Sequence, residues 1–119
     1  LFRGGLIRRG MSSKKVHCIG FIQDGQVSDD KQTRLKADLN AFTHREFQGE
    51  AEFQWISVGR GNGFTKAEPS TSSILSIRPD QPVEQARRMT LLKEVCDIWM
   101  SHTGCSLDEI VAVIADPVS

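Results

Sequence analysis

The sequence predicts a mixed α and β fold: two tandem β-α-β units forming one four-stranded sheet, with both helices on one face. Three observations predict it. Short β-branched segments alternate with segments of helical periodicity, in the order strand, helix, strand, long loop, strand, helix, strand. The two halves align at an offset of 55 residues, pairing Ile22 with Ile77, Gln26 with Gln81, Gly49 with Gly104 and Val58 with Val113. With 119 residues, 39% of them hydrophobic and 25% charged, the chain suits one folded domain and leaves little room for a second.

Each element has its own signature. Val16-His17-Cys18-Ile19-Gly20-Phe21-Ile22 reads as the first strand, followed by a turn at 23–26. Ser28 can cap a helix that opens with Asp29 and Asp30, acids that suit a positive amino terminus. Leu35, Leu39 and Phe42 make its apolar stripe, and Gly49 is placed to stop it. Residues 52–58 form the second strand. Gly59 to about Ser72, rich in Gly, Ser and Thr, reads as a flexible connection.

The pattern then restarts. Residues 74–77 form a strand, Arg78-Pro79-Asp80-Gln81 a turn, and Pro82 suits a first helical position, where its missing N–H costs nothing. Met89, Leu92, Cys96 and Trp99, broadened by Val95 and Ile98, form the second helical stripe, ended by Gly104. Residues 109–114 form the last strand. Two right-handed crossovers of this kind leave the outer face of the sheet bare. Its apolar residues then need a partner, which predicts a homo-oligomer.

Charge divides the chain in two. Residues 1–15 hold Arg3, Arg8, Arg9, Lys14 and Lys15 and no acid; of the 15 basic and 15 acidic residues overall, this leaves 10 and 15 in residues 16–119, a net of −5. A formal net charge of +0 argues against a nucleic-acid binder, and no apolar stretch is long enough to span a membrane. Residues 1–14 are read as a basic extension ahead of the domain at 15–119. The extension is either a targeting remnant or sequence upstream of a natural start at Met11. Three cysteines at unpaired spacing suit a reduced, cytoplasmic setting.

The strand ending Phe21-Ile22-Gln23-Asp24, the segment His44-Arg45-Glu46-Phe47-Gln48-Gly49, the strand Ile74–Ile77 running into Arg78, and the Ile110–Pro117 ending resemble the tautomerase superfamily. The likeness is nearest to its cis-3-chloroacrylic acid dehalogenase and malonate semialdehyde decarboxylase branches, and covers about residues 15–117. It implies trimers with sites between subunits, and a proton-moving amino-terminal proline at the head of the first strand.

Here Lys15 stands in that place, and the chain's prolines are Pro69, Pro79, Pro82 and Pro117. A backbone nitrogen inside a chain is an amide with no basic lone pair. By the same resemblance Arg78 matches the arginine that holds the substrate carboxylate, a role that suits a guanidinium fork past a strand end. His44 matches a histidine that activates or orients water, late in a helix whose negative end favours its protonated form. The family's second arginine is replaced by Gln81, its polar aromatic by Val113, and its acidic tail has no counterpart before Ser119.

Other motifs carry less. Gly59-Arg60-Gly61-Asn62-Gly63 follows a strand but lacks the spacing of a phosphate loop; Arg60 and Lys66 are solvated, or approach a neighbouring subunit. Cys96, His102 and Cys105 do not have the spacing of a zinc site, so neither a metal nor a cofactor is expected. Trp55 and Trp99 read as core, and His17 as facing away from the helices.

Three functions fit. The first is a tautomerase-like protein that binds a small keto or unsaturated acid through Arg78 and Gln81, with altered tautomerase or hydratase chemistry carried by His44, Asp24 or a desolvated Lys15. The second is a non-catalytic oligomeric scaffold on the same fold. The third is one subunit of a hetero-oligomer whose partner supplies the proline.

Overall fold

The computed structural model describes residues 14–59, 61–65, 67–69 and 71–117. The basic extension before Lys14 lies outside them, as do Arg60 and Lys66. Four strands build the main sheet: β1 (Lys15–Gln23), β2 (Glu50–Val58), β5 (Ser73–Arg78) and β6 (Ile110–Ile114), in the order β2-β1-β5-β6. Helix α1 (Asp29–Phe47) joins β1 to β2, and α2 (Gln85–Thr103) joins β5 to β6. Both flanking pairs are parallel and the central β1–β5 pair is antiparallel. This is the predicted arrangement of two tandem units.

The central pairing shows how the two units are related. Gly20 lies opposite Leu75, its own counterpart at the 55-residue offset, so the pairing is centred on equivalent positions. Gly20 also lies beneath an aromatic ring. A Cβ there would sit 2.6 Å from the Trp55 ring, so any side chain would displace the indole.

Alternation decides which side chains enter the core. In β1 the buried residues are Val16, Cys18, Gly20 and Ile22; in β5 they are Ser73, Leu75 and Ile77. Leu35, Leu39, Phe42 and Phe47 of α1 meet Leu91, Val95 and Trp99 of α2 over that face, so both helices share one core. Trp99 is fully buried, and Trp55 packs at the margin.

Several boundaries differ from the sequence expectation, each for a local reason. Ser28 does cap α1, accepting a hydrogen bond from the Lys31 amide. The other end is capped by Gln48 rather than Gly49, in the left-handed region at φ 52°. Its side-chain amide donates to the Arg45 carbonyl. The two helices are therefore offset by 56 residues, Gln48 corresponding to Gly104.

Pro82 does not start α2. Residues 82–84 stay non-helical because Val83 is drawn into the core and its amide donates to Asp116. Glu84 is the amino-terminal cap. The buried seam of α2 is Leu91, Val95 and Trp99, not the stripe through Met89, which is 63% exposed. The apolar arc of this helix is wider than its contact, so periodicity alone cannot tell which edge of it is covered. The long connection holds a small antiparallel hairpin, β3 (Phe64–Thr65) with β4 (Glu68–Pro69), turned by Ala67 at φ 65°. A single 3-10 turn, Leu107–Glu109, precedes β6, where the Glu109 side chain accepts from the Ser106 amide.

Candidate functional site

The outer face of the sheet reads as rows that cross the strands. One row is apolar throughout: Ile56, Phe21, Ile74 and Val111, on β2, β1, β5 and β6 respectively. The next row is mixed, with Gln54, Ile19, Ser76 and Val113. The third is charged, with Glu52, His17 and Arg78, and Lys15 lies beside Glu50 beyond it. The face therefore grades from an apolar field to a charged edge. That edge lies where β1 begins and β5 ends, because the two strands run antiparallel.

Arg78 is the last residue of β5 and is exposed on this edge. Among the described residues its guanidinium has no ion-pair or hydrogen-bond partner. The helix expected just after it begins seven residues later, at Gln85, with a bend between. Gln81 is exposed in that bend.

Lys15 opens β1 on the same edge. Its Nζ lies 2.6 Å from Glu50 Oε1. The hydrogen bond to Glu50 raises the lysine's pKa above its ordinary value, and the bond from Lys15 lowers that of Glu50. A desolvated Lys15 able to release its proton near neutrality is therefore corrected: in this protomer the ammonium is exposed and paired, which holds the proton on. His44, in the last turn of α1, is exposed, and its charge adds to the lowering at Glu50. Asp24 is not brought to this edge. It follows the far end of β1, nine residues or roughly 30 Å from Lys15 along an extended strand.

The edge also holds residues the sequence reading assigned no role. His17 Nδ1 lies 3.0 Å from Glu52 Oε1, and Lys14 Nζ 3.7 Å from Asp80 Oδ2. Strand alternation placed His17 on the outer face, but pairing with Glu52 and Arg78 depends on register across three strands. Nothing within β1 specifies that register.

Other features support the frame. Arg45 pairs with Glu46 and with Glu94, and Arg87 pairs with Glu46, tying the end of α1 to α2. Arg88 donates to the Val83 and Ile114 carbonyls and to Asp116, fastening the segment after β6 to the start of α2. An apolar groove of about 890 Å³ runs along α2, lined by Met89, Leu92, Cys96 and Met100 among others, and includes none of the expected site residues. Among the described residues, no group of three or more His, Cys, Asp or Glu side chains is placed to hold a metal, and no helix is long and apolar enough to cross a membrane.

A doubled β-α-β unit with its parallel pairs joined antiparallel at the centre is the tautomerase fold, and comparison with solved structures agrees. The chain superposes on native Ps01740 with a TM-score of 0.76 at 19% identity, over 88% of this chain and 95% of that one. It superposes on a fused wild-type 4-OT, a symmetric trimer, with a TM-score of 0.71 at 11% identity, over 85% of each. For N1, a member of the cis-3-chloroacrylic acid dehalogenase family, the values are 0.63 and 12%, over 85% of this chain and 74% of that one. No protein-family model matches the sequence, and no curated protein does. At these identities the likeness establishes the fold.

Proposed function

We propose that this chain binds a small keto or unsaturated carboxylic acid at the charged edge of its sheet, and that it assembles as a trimer whose neighbouring copies cover the apolar rows and complete the site. Arg78 carries the reading. It is an exposed guanidinium without a partner among the described residues, at the strand end that lies beside the start of β1. A fork of this kind holds a carboxylate by two parallel hydrogen bonds. Gln81 adds a neutral donor, and His44 is the group proposed to orient or activate water.

The chemistry differs from that of a proline amine. Lys15 heads β1 and its ammonium is held by Glu50, so the edge presents cations that bind and polarise an acid rather than a free secondary amine. Tautomerase or hydratase turnover is proposed at a reduced rate. The trimer reading is supported by the open apolar field and by the fused 4-OT of like fold, which is a trimer.

Phenylpyruvate tests it, because its enol can be both titrated and followed to the keto form. Wild-type chain is expected to bind it, and Arg78→Ala to weaken binding about 10- to 100-fold, as losing a charge-assisted fork worth about 1.5–3 kcal/mol requires. Equal binding by both would reject Arg78 as the carboxylate site. A scaffold role is favoured by one observation, the neutral side chains of Gln81 and Val113 where the resembled family is charged or polar. Binding without turnover would select it.

A further inference from the structure

We infer that His17 and Glu52 form the proton-transferring pair of this site, His17 acting on the acid that Arg78 holds. The inference rests on the carboxylate reading of Arg78 and names the base of that site.

The geometry is a row across three strands. His17 pairs in register with Glu52 on β2 and with Arg78 on β5, and β-strand alternation aims all three side chains at the outer face. Directly opposite residues on antiparallel strands have Cβ atoms about 4.5–5.5 Å apart. A short acid whose carboxylate sits on the Arg78 fork is thus held beside the strand position that carries the imidazole.

Glu52 sets the tautomer. A carboxylate only accepts, so Oε1 at 3.0 Å from Nδ1 keeps a proton on that nitrogen and leaves the Nε2 lone pair free. The other charged groups facing this ring are few. Arg78 lies on one side, and Lys15 and Glu50 in the neighbouring row neutralise each other at 2.6 Å. His17 and Glu52 are about as exposed as each other, at 62% and 57%, so substrate can reach the ring.

The step balances without a co-reactant. His17 Nε2 takes the proton from the enol oxygen, leaving an enolate and an imidazolium. The carbon–carbon double-bond pair then takes that proton from Nε2 at carbon as the oxygen pair closes the carbonyl, yielding the keto acid and the neutral ring. Arg78 holds the carboxylate throughout, and Glu52 stabilises the imidazolium between the two transfers.

The competing explanation is an exposed cross-strand ion pair with no chemical role. Ketonisation of phenylpyruvate by wild type, His17→Gln, Glu52→Gln and Arg78→Ala separates the two when calorimetric binding is measured alongside. His17→Gln is expected to slow turnover about 100-fold or more while binding stays within about two-fold, as loss of a positioned base predicts. Glu52→Gln keeps the side chain's shape but removes the carboxylate that orients the ring, so it is expected to lower kcat while KM stays within about two-fold. Both residues are exposed, and melting temperatures should barely change.

If His17→Gln turns over like wild type while Arg78→Ala loses binding, the pair is overturned and the carboxylate site stands. If wild type binds the acid without turnover, the pair is overturned in favour of a scaffold. If wild type does not bind it at all, both readings fall.

Discussion

At Cys18, burial alone decides the chemistry. The thiol lies on the inner face of β1, 3.7 Å from the Val16 carbonyl oxygen, and loss of solvent pushes its pKa up to about 12 from 9.0. The folded chain therefore keeps that proton where the unfolded chain releases it. Below about pH 9 the group has no effect on stability; between about 9 and 12 stability should fall by up to about 1.4 kcal/mol per pH unit from this residue. Urea unfolding of wild type and Cys18→Ala at pH 8 and pH 11 checks it, since alanine cannot titrate. Parallel pH dependence in the two proteins would refute the assignment. Exposed Lys15 shows the opposite control: a neighbouring carboxylate, not desolvation, sets its proton affinity. The resemblance marked Lys15 as a candidate, but neither cause could be read without the fold.

The elements show where local rules suffice. Ser28 followed by two acids marks the start of α1, and the Ser28 hydroxyl accepts from Lys31 as that signature requires. The far end was less legible. Gly49 looks like the cap because glycine tolerates left-handed backbone, yet Gln48 occupies it and Gly49 packs 3.0 Å from Val16 when given a Cβ. Gln48→Gly should relieve the left-handed strain and stabilise the chain by roughly 0.5–1 kcal/mol, after allowing for the lost bond to the Arg45 carbonyl. Thermal denaturation measures it; a lower midpoint would mean that the side-chain bond outweighs the backbone strain. In α2 the periodicity identified a helix but not its buried edge. Leu91, Val95 and Trp99 face the sheet, and Met89 does not.

At the scale of the molecule, the outer face divides its work. The row Ile56, Phe21, Ile74 and Val111 is apolar across all four strands, with Val111 half exposed and Ile74 at 42%. Such a face favours covering by further copies, and the charged row, one mixed row further on, would then lie at the rim of that contact. Val111→Glu places a charge in the apolar row while leaving the inner core untouched. Sedimentation equilibrium is expected to show wild type as a trimer and this variant as smaller species, with little change in helical circular dichroism. A trimer in both would place the interface elsewhere.

The sequence by itself determined the alternation of strands and helices, the duplication and the bare outer face. These follow from side-chain period and local chemistry, which each segment carries alone. Only the tertiary structure decided that His17, Glu52 and Arg78 form one row, that Asp24 stands at the other end of β1, and that Lys15 is paired with Glu50. The physical reason is register. Shifting a strand by one residue sends every side chain to the opposite face, and the shift that prevails is set by how Val16, Cys18, Ile22, Leu75 and Ile77 fill the space beneath two helices.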